Sequence, residues 1–387
     1  MLPPELTREI LQYLAADHAA ISSCALTHRT LTPLAQGIIF RTILLNQIHH
    51  APAFSSLLRT SPHLAKHVRL LIIAEPNPVV RWIIPATSDL AAVLDALPGL
   101  PALAVRCAPT YFDFLGDLRP ALFRAARVVR ALELSRIAHA PPALVFGSQL
   151  DRLRLVNVSF AAPWSVASDE TAEKIVLRAP TALELCRIPT GGLSALRIDP
   201  RRLTRLRVSN VSPEIVAGLI ASCARTLQAL EIGPAEVTRI REALQLPALR
   251  VLAVRGDISQ DALREWLRAA PGLRRLMLWA GRWKRKDIRI ACEGLVAGDP
   301  GGVILPVDLV AQDAPALEII ELEFTHPLSS RNATDEKGDA SRVRRPIGVL
   351  RRKDGRMVDV ASVWTADGEY QCYAFFATLT KKISCIG

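Results

Sequence analysis

A leucine-rich motif, L-x-x-L-x-L with conservative aliphatic replacements, recurs in the middle of the chain and constrains its fold more than any other feature. Four in-phase copies begin at Leu203, Leu227, Leu249 and Leu273, at intervals of 24, 22 and 24 residues. The alternation at the last positions of the motif predicts a short strand whose apolar residues point into the core. Repetition at this period indicates stacked units, none of which buries its apolar face alone.

Helices are predicted between these strands. After the first copy, Ser212 is a candidate N-cap and Pro213 a candidate first helical residue. After the third copy, Ser259 is a candidate N-cap of a helix that carries Leu263 and Trp266 on one face. The middle of the chain is therefore expected to alternate strand, turn and helix.

Two α/β architectures share this alternation: a curved leucine-rich-repeat solenoid and a conventional domain with a wound parallel sheet. Intervals near 23 residues are short for full crossover helices, and no glycine-rich phosphate loop follows any predicted strand. The sequence therefore favours the solenoid. Looser copies of the motif extend it over residues 46–325.

Residues that alternate with the core positions of these strands are expected to face the concave surface, where solenoids commonly bind partners. On the better-defined repeats, this predicted partner-binding face comprises Arg152, Arg154, Arg205, Arg207, Arg255, Met277 and Trp279. A tryptophan beside several arginines has the composition of a binding hot spot. For each residue taken singly, the alternative is a solvated strand position without a partner.

The first 45 residues differ from the repeats. A pair of prolines precedes a predicted helix that places Leu6, Ile10 and Leu14 on one face. Further helices are predicted around residues 21–26 and 33–39. Three short helices enclose a very small core, so this module is expected to lean on a partner or on the adjoining repeats.

The segments Leu2-Pro3-Pro4-Glu5-Leu6 and Cys24-Ala25-Leu26-Thr27-His28-Arg29 resemble an F-box, in particular the fungal F-box-like variety. The repeats behind them are similar to the leucine-rich-repeat halves of F-box proteins. The resemblance implies an F-box-like module at residues 1–45 that docks on the Skp-type adaptor of a cullin–RING ubiquitin ligase. By position, the implied adaptor-binding residues are Leu2, Pro3, Glu5, Leu6, Ile10, Leu26 and Leu34. The alternative is an unrelated helical cap that seals the first repeat.

The resulting hypothesis is a non-enzymatic, substrate-recognition subunit of an SCF-type ligase that holds a protein substrate through its repeats. The other hypothesis is a leucine-rich-repeat protein-binding scaffold without ligase association. No Walker loop, GxGxxG, HExxH or GxSxG motif occurs, so no catalytic, cofactor-binding or metal-binding residue is predicted. His63 and His67, at i,i+4 spacing, are predicted to be surface histidines.

A net charge of +11 does not by itself predict a nucleic-acid partner, because no aromatic residues are interleaved with the basic clusters. No apolar run approaches the roughly 18 residues that cross a bilayer, and no secretory signal core is present. We therefore expect a cytoplasmic or nuclear protein with no membrane contact, monomeric outside its complex. Residues 326–346 are predicted to form a polar linker, and residues 347–387 a tail with a possible hairpin.

Overall fold

The computed structural model describes residues 4–14, 17–76, 79, 81–145, 150–161, 177–178, 180–189, 198–233, 245–256, 260–280, 316–325, 344–353 and 356–359. The chain divides into two compact units, Met1–Cys223 and Ala224–Gly387.

Three short helices begin the first unit, at the positions that the sequence predicts: α1 (Pro4–Tyr13), α2 (His18–Thr27) and α3 (Thr32–Ile39). Asp17 caps α2, because its Oδ1 accepts the backbone N–H of Ala20 at 2.9 Å. The Thr32 hydroxyl donates to the Ala25 carbonyl at 2.7 Å and ties α2 to α3. The core of these helices is small, as expected from their length, and among the described side chains its buried members are Leu11, Ile21 and Ala35.

The rest of the first unit alternates strands with helices. Its strands are β1 (Thr42–Leu45), β2 (Leu70–Ala74), β3 (Ala102–Tyr111), β4 (Ala131–Ala138), β5 (Arg152–Val156), β6 (Leu177–Arg178), β7 (Ala182–Cys186), β8 (Ile198–Asp199) and β9 (Arg205–Ser209). Its further α-helices are α4 (His50–Thr60), α5 (Thr87–Asp95), α6 (Leu118–Val128) and α7 (Pro213–Cys223), and short 3-10 turns lie at Pro62–His67, Phe112–Leu115, Pro142–Leu144 and Pro200–Arg202.

The strands of the first unit pair in parallel, in the order β1-β2-β3-β4-β5-β7-β9, while β6 pairs with β8. Helix α4 contacts α5, and α5 contacts α6. On β2, β5, β7 and β9, two alternate apolar positions are buried in the core. On β5, for example, Leu153 and Leu155 are 1% and 0% exposed. On β4, β5, β7 and β9, the outward residue between two core positions is charged, and these charged residues belong to the candidate site below.

The second unit repeats the alternation. Strands β10 (Ala229–Ile232), β11 (Val251–Arg255), β12 (Arg275–Ala280) and β13 (Ile319–Thr325) pair in parallel, and helix α8 (Gln260–Ala269) connects β11 to β12. Strand β14 (Arg344–Lys353) pairs antiparallel with β13, and β15 (Arg356–Asp359) pairs antiparallel with β14. Of the predicted linker 326–346, only residues 344–346 are described, and they belong to β14. Of the predicted tail 347–387, residues 347–353 and 356–359 are described and belong to β14 and β15, and the rest lies outside the described residues.

The predicted fold class, a three-helix F-box-like module followed by a curved leucine-rich-repeat solenoid, is wrong. The structure is an α/β fold in which parallel strands alternate with helices. The short motif interval suggested that full crossover helices would not fit. In the second unit, only 24 residues separate Val251 from its sheet partner Arg275, and this interval holds the ten-residue helix α8. The interval thus accommodates the helical crossover of a parallel sheet.

A left-handed residue recurs just beyond the core positions of four consecutive paired strands. These residues are Arg136, Asn157, Arg187 and Asn210, with φ of 60°, 52°, 53° and 56°. In each case the next residue is a buried aliphatic: Ile137, Val158, Ile188 and Val211. The left-handed residue therefore turns the chain so that an additional apolar side chain enters the core. Asparagine tolerates this conformation better than most L-residues, and arginine does not share that tolerance.

Replacing Arg187 with asparagine is therefore expected to raise the free energy of unfolding by up to about 1 kcal/mol. The mutation keeps the backbone N–H of residue 187, which donates to the Ser209 carbonyl at 2.8 Å. The reciprocal variant Asn157→Val should lower stability by about 1–2 kcal/mol, because a β-branched residue is strained at positive φ. Urea unfolding followed by circular dichroism measures both. A destabilised Arg187→Asn variant would contradict this explanation.

Candidate functional site

Helix α1 carries a row of exposed apolar side chains. Leu6, Ile10 and Tyr13 follow one another at i, i+4 and i+7, and are 48%, 50% and 89% exposed. On α2, Leu26 is 88% exposed. Single exposed apolar residues are common on protein surfaces, but a row of large ones along a helix is characteristic of an interaction surface. We call Leu6, Ile10, Tyr13 and Leu26 the N-terminal apolar residues.

The residues implied as adaptor-binding by resemblance fall into three groups. Glu5, Leu6, Ile10 and Leu26 are exposed, and Leu34 on α3 is half-buried. Leu2 and Pro3 lie outside the described residues. The helices thus leave most of the described members accessible from solvent.

A row of charged residues crosses the outward face of the first unit's sheet. Glu133, Arg154, Glu184 and Arg207 stand in register on β4, β5, β7 and β9, so that opposite charges alternate from strand to strand. We call these four residues the charged row. Cross-strand neighbours on one face of a sheet lie close enough to interact, and pairing of opposite charges is favourable there.

Ion pairs link the charged row from end to end. Arg154 Nη1 lies 3.3 Å from Glu133 Oε2, and Arg154 Nε lies 3.1 Å from Glu184 Oε1. Arg207 Nη1 lies 3.5 Å from Glu184 Oε1. At the other end, Arg106 on β3 adds a bidentate contact to Glu133, with Nε to Oε1 at 2.7 Å and Nη2 to Oε2 at 3.0 Å. Each ion pair is partly solvated. The pairs therefore orient the side chains of the charged row more than they stabilise the fold.

A second row lies two residues earlier on the same strands and on the same face. Its members in register are Ala131, Arg152, Ala182 and Arg205. Arg152 is exposed and Arg205 is half-buried. Burial, and secondarily the positive charge of Arg152, lowers the pKa of Arg205. We call Arg152 and Arg205 the arginine pair.

The partner-face residues of the second unit have different surroundings. Arg255 forms an ion pair with Glu231, which is only 3% exposed. Met277 is 7% exposed, so it presents little surface to a partner. Trp279 lies in β12, but its side chain is outside the described part of the structure. The arginines predicted on the first unit are the ones that share one described surface.

Sequence patterns identified the arginines of this surface and missed the glutamates between them. The sequence does indicate that these glutamates face outward, because each lies between two core leucines, in Leu132-Glu133-Leu134 and Leu183-Glu184-Leu185. With the parallel register known, each outward glutamate stands opposite an outward arginine. Without it, the ion pairs could not be assigned.

The described residues offer little for covalent or metal chemistry. Within the described ranges, no group of three His, Cys, Asp or Glu side chains is arranged to hold a metal ion. His63 is exposed and His67 half-buried in the turn after α4. Burial raises the pKa of the Cys107 thiol to about 12 and that of Cys223 to about 11, which keeps both thiols protonated near neutral pH. No described helix is long and apolar enough to cross a membrane.

No family model matches the chain, and no curated protein matches it either. The fold and surface therefore define a class only: an α/β protein with a parallel sheet, a charged outward sheet face, and exposed apolar residues on its N-terminal helices.

Proposed function

We propose that the protein is a substrate-recognition subunit of an SCF-type cullin–RING ubiquitin ligase, in which the N-terminal helices bind the Skp-type adaptor. The observation that carries the proposal is the exposure of Leu6, Ile10 and Leu26. The resemblance of residues 2–40 to an F-box assigns these same positions to the adaptor interface. Burial of apolar surface is the dominant favourable term in most protein–protein association.

The outward sheet face of the first unit supports the second half of the proposal. The charged row and the arginine pair present guanidinium groups on rigid strands, a surface suited to recognising a protein substrate. The subunit would act by proximity, holding the substrate where the ubiquitin-charged enzyme of the ligase can reach it. Catalysis belongs to the partners in this proposal, which places the protein in the cytoplasm or nucleus.

The adaptor interaction is tested by charging two of the N-terminal apolar residues. The double variant Leu6→Asp with Ile10→Asp should lower affinity for a purified Skp-type adaptor by about a hundredfold or more, because it places two carboxylates in an apolar interface. Isothermal titration calorimetry measures the affinity. The control is Ile48→Asp with Val128→Asp, which makes the same change at residues that are each 52% exposed elsewhere in the unit. The control should bind the adaptor as the wild type does.

The proposal fails if the wild-type chain does not bind the adaptor, or if the Leu6 and Ile10 variant binds it unchanged. Circular dichroism shows whether a variant that has lost binding is still folded. Leu6 and Ile10 are about half exposed, so the charged variant should keep its fold. Failure with a folded protein would favour the second candidate, a protein-binding scaffold without ligase association. The charged sheet face supports that alternative, because the ion pairs of the charged row join residues on β3, β4, β5, β7 and β9.

A further inference from the structure

The N-terminal part of the first unit concentrates histidine in a segment without acidic residues. Between Asp17 and Glu75, the sequence contains six of the chain's eight histidines and five Arg or Lys residues, but no Asp or Glu. A histidine that takes up a proton here adds to an existing positive charge and finds no carboxylate nearby in the sequence. Histidine is the side chain that ordinarily changes charge between pH 5 and 8, so the segment has the composition of a pH sensor.

His28 holds the connection between α2 and α3 through a contact that needs an unprotonated nitrogen. Its Nδ1 accepts the backbone N–H of Thr30 at 3.2 Å, and the Thr30 hydroxyl lies 2.7 Å from the same nitrogen. A hydroxyl can turn to accept a hydrogen bond, whereas a backbone N–H can only donate. Both nitrogens of a protonated imidazole are donors, so protonation of His28 removes the acceptor for this N–H.

His67 lies on the other side of α3, at the end of the turn Pro62–His67. Helix α3 contacts this turn. At Gly37 on α3, a side-chain methyl would lie 3.5 Å from Nδ1 of His67, which is van der Waals distance, so the imidazole lies against the backbone of the helix. The two histidines therefore contact the start of α3 and its underside.

The proton affinity of His67 is reduced in the folded chain. Burial lowers the pKa of His67, and the positive charges of Lys66, His63 and Arg69 lower it further. The folded chain thus binds this proton less readily than the unfolded chain, in which the pKa is about 6.5. The contribution of neutral His67 to stability is complete above about pH 6.5, and it is lost as the pH falls below that value.

The elements packed around α3 supply no described counter-charge to either histidine. Helix α3 itself has no ionisable residue. The ionisable residues of the surrounding helices and connections are Glu5, Arg8, Glu9 and Tyr13 on α1, His18 and Cys24 on α2, Arg29 and Arg41 on either side of α3, and His50 and Arg59 on α4. Within the described part of the chain, no carboxylate forms an ion pair with His28 or His67.

We propose that α3 is an acid-sensitive junction between the N-terminal helices and the first strand–helix repeat, and that it loosens when His28 and His67 take up protons. Protonation of His28 breaks the contact that leads into α3, and protonation of His67 places a cation among three other basic side chains beneath it. The strands farther along the sheet stay folded. The inference is independent of the adaptor proposal and adds regulation by pH: mild acid would release the support of the helices that carry Leu6, Ile10 and Leu26.

The test is hydrogen exchange of the purified full chain at pH 7.5 and pH 5.5, followed by mass spectrometry and expressed as protection factors, which remove the intrinsic effect of pH on exchange. Protection at residues 28–39 and 62–69 should fall about fivefold or more at pH 5.5, as expected when a lowered histidine pKa lies about one unit below its ordinary value. Protection on β4, β5 and β7 should change by less than about twofold.

Variants assign the response to the two histidines. The double variant His28→Asn with His67→Asn should keep its protection at both pH values, because asparagine offers an accepting oxygen and takes up no proton. His67→Lys, which carries a permanent cation, should lower protection at residues 32–39 already at pH 7.5. The control is His49→Asn with His139→Asn, which removes two exposed histidines and should respond to pH as the wild type does.

Circular dichroism at both pH values establishes that each protein is folded, and the asparagine variant decides the matter if His67→Lys does not fold. Three results would overturn the proposal: equal protection of α3 at the two pH values in the wild type, a loss that the asparagine variant retains, or an equal loss on β4, β5 and β7. No adaptor is present in these measurements, so their failure is separate from a failure of the adaptor titration.

Discussion

Replacing Glu75 with alanine is expected to lower the free energy of unfolding by about 3–5 kcal/mol. Glu75 follows β2 and is only 6% exposed. Its Oε1 accepts the backbone N–H of Ile83 at 2.9 Å, and its Oε2 accepts the backbone N–H of Ala108. Truncation leaves both donors buried and unpaired, and this desolvation cost is the physical reason for the loss.

The two backbone N–H donors lie in irregular segments, outside the regular hydrogen bonding of the sheet. Ala108 lies where the register of β3 against β4 shifts, between Arg106 and Thr110, so its N–H has no regular ladder partner. Ile83 lies in the connection after β2. Trp82 supports the same connection, because its Nε1 donates to the Ala74 carbonyl at 3.0 Å. A single carboxylate thus joins the end of β2, the following connection and the irregular part of β3.

Urea unfolding followed by circular dichroism measures the expected loss, and hydrogen exchange locates it. Exchange should accelerate most at residues 81–86 and 107–109, with less change on β7 and β9. Glu75→Gln should fall between the wild type and Glu75→Ala, because its amide has one accepting oxygen for two donors. Glu265→Ala, at an exposed carboxylate, is the control. If Glu75→Ala is as stable as this control, the carboxylate does not have the structural role described.

The strands were predictable because their signal is local. Leu206 and Val208 on β9, like Leu252 and Val254 on β11, alternate with polar or small residues, and any fold that uses such segments buries that face. The helices that begin at Pro213 and Gln260 were predictable for a similar reason, since their apolar residues recur at helical spacing. The repeat period could not determine how successive strand–helix repeats are arranged, and on this point the predicted fold class is wrong.

The candidate site was only half predictable, because it depends on register. Arg152 and Arg205 are 53 residues apart, and nothing in either segment places them on both sides of Ala182. Glu75 is a harder case. It is one carboxylate among the 37 acidic residues of the chain, and its importance follows from two backbone donors that tertiary structure brings to it.

In the second unit, Arg255→Ala is expected to lower the free energy of unfolding by about 3–5 kcal/mol, although the sequence pattern predicts Arg255 on a partner-binding face. The side chain of Arg255 is 26% exposed, and that of its ion-pair partner Glu231 is 3% exposed. Removing the guanidinium leaves a carboxylate that is buried on β10 without this counter-charge. The cost arises because a buried carboxylate has lost this guanidinium, and it is larger than the net contribution of the intact pair.

The double variant Glu231→Leu with Arg255→Met separates these two quantities. It removes both charges and keeps the side-chain volume, so its stability should lie within about 1–2 kcal/mol of the wild type and well above that of Arg255→Ala. Arg274→Ala is the matched control, because Arg274 pairs with Glu318 at 3.8 Å and both side chains are 60% exposed. It should cost less than about 1 kcal/mol. Urea unfolding of the four proteins decides between the roles: an Arg255→Ala variant as stable as Arg274→Ala would return Arg255 to the set of residues available to a partner.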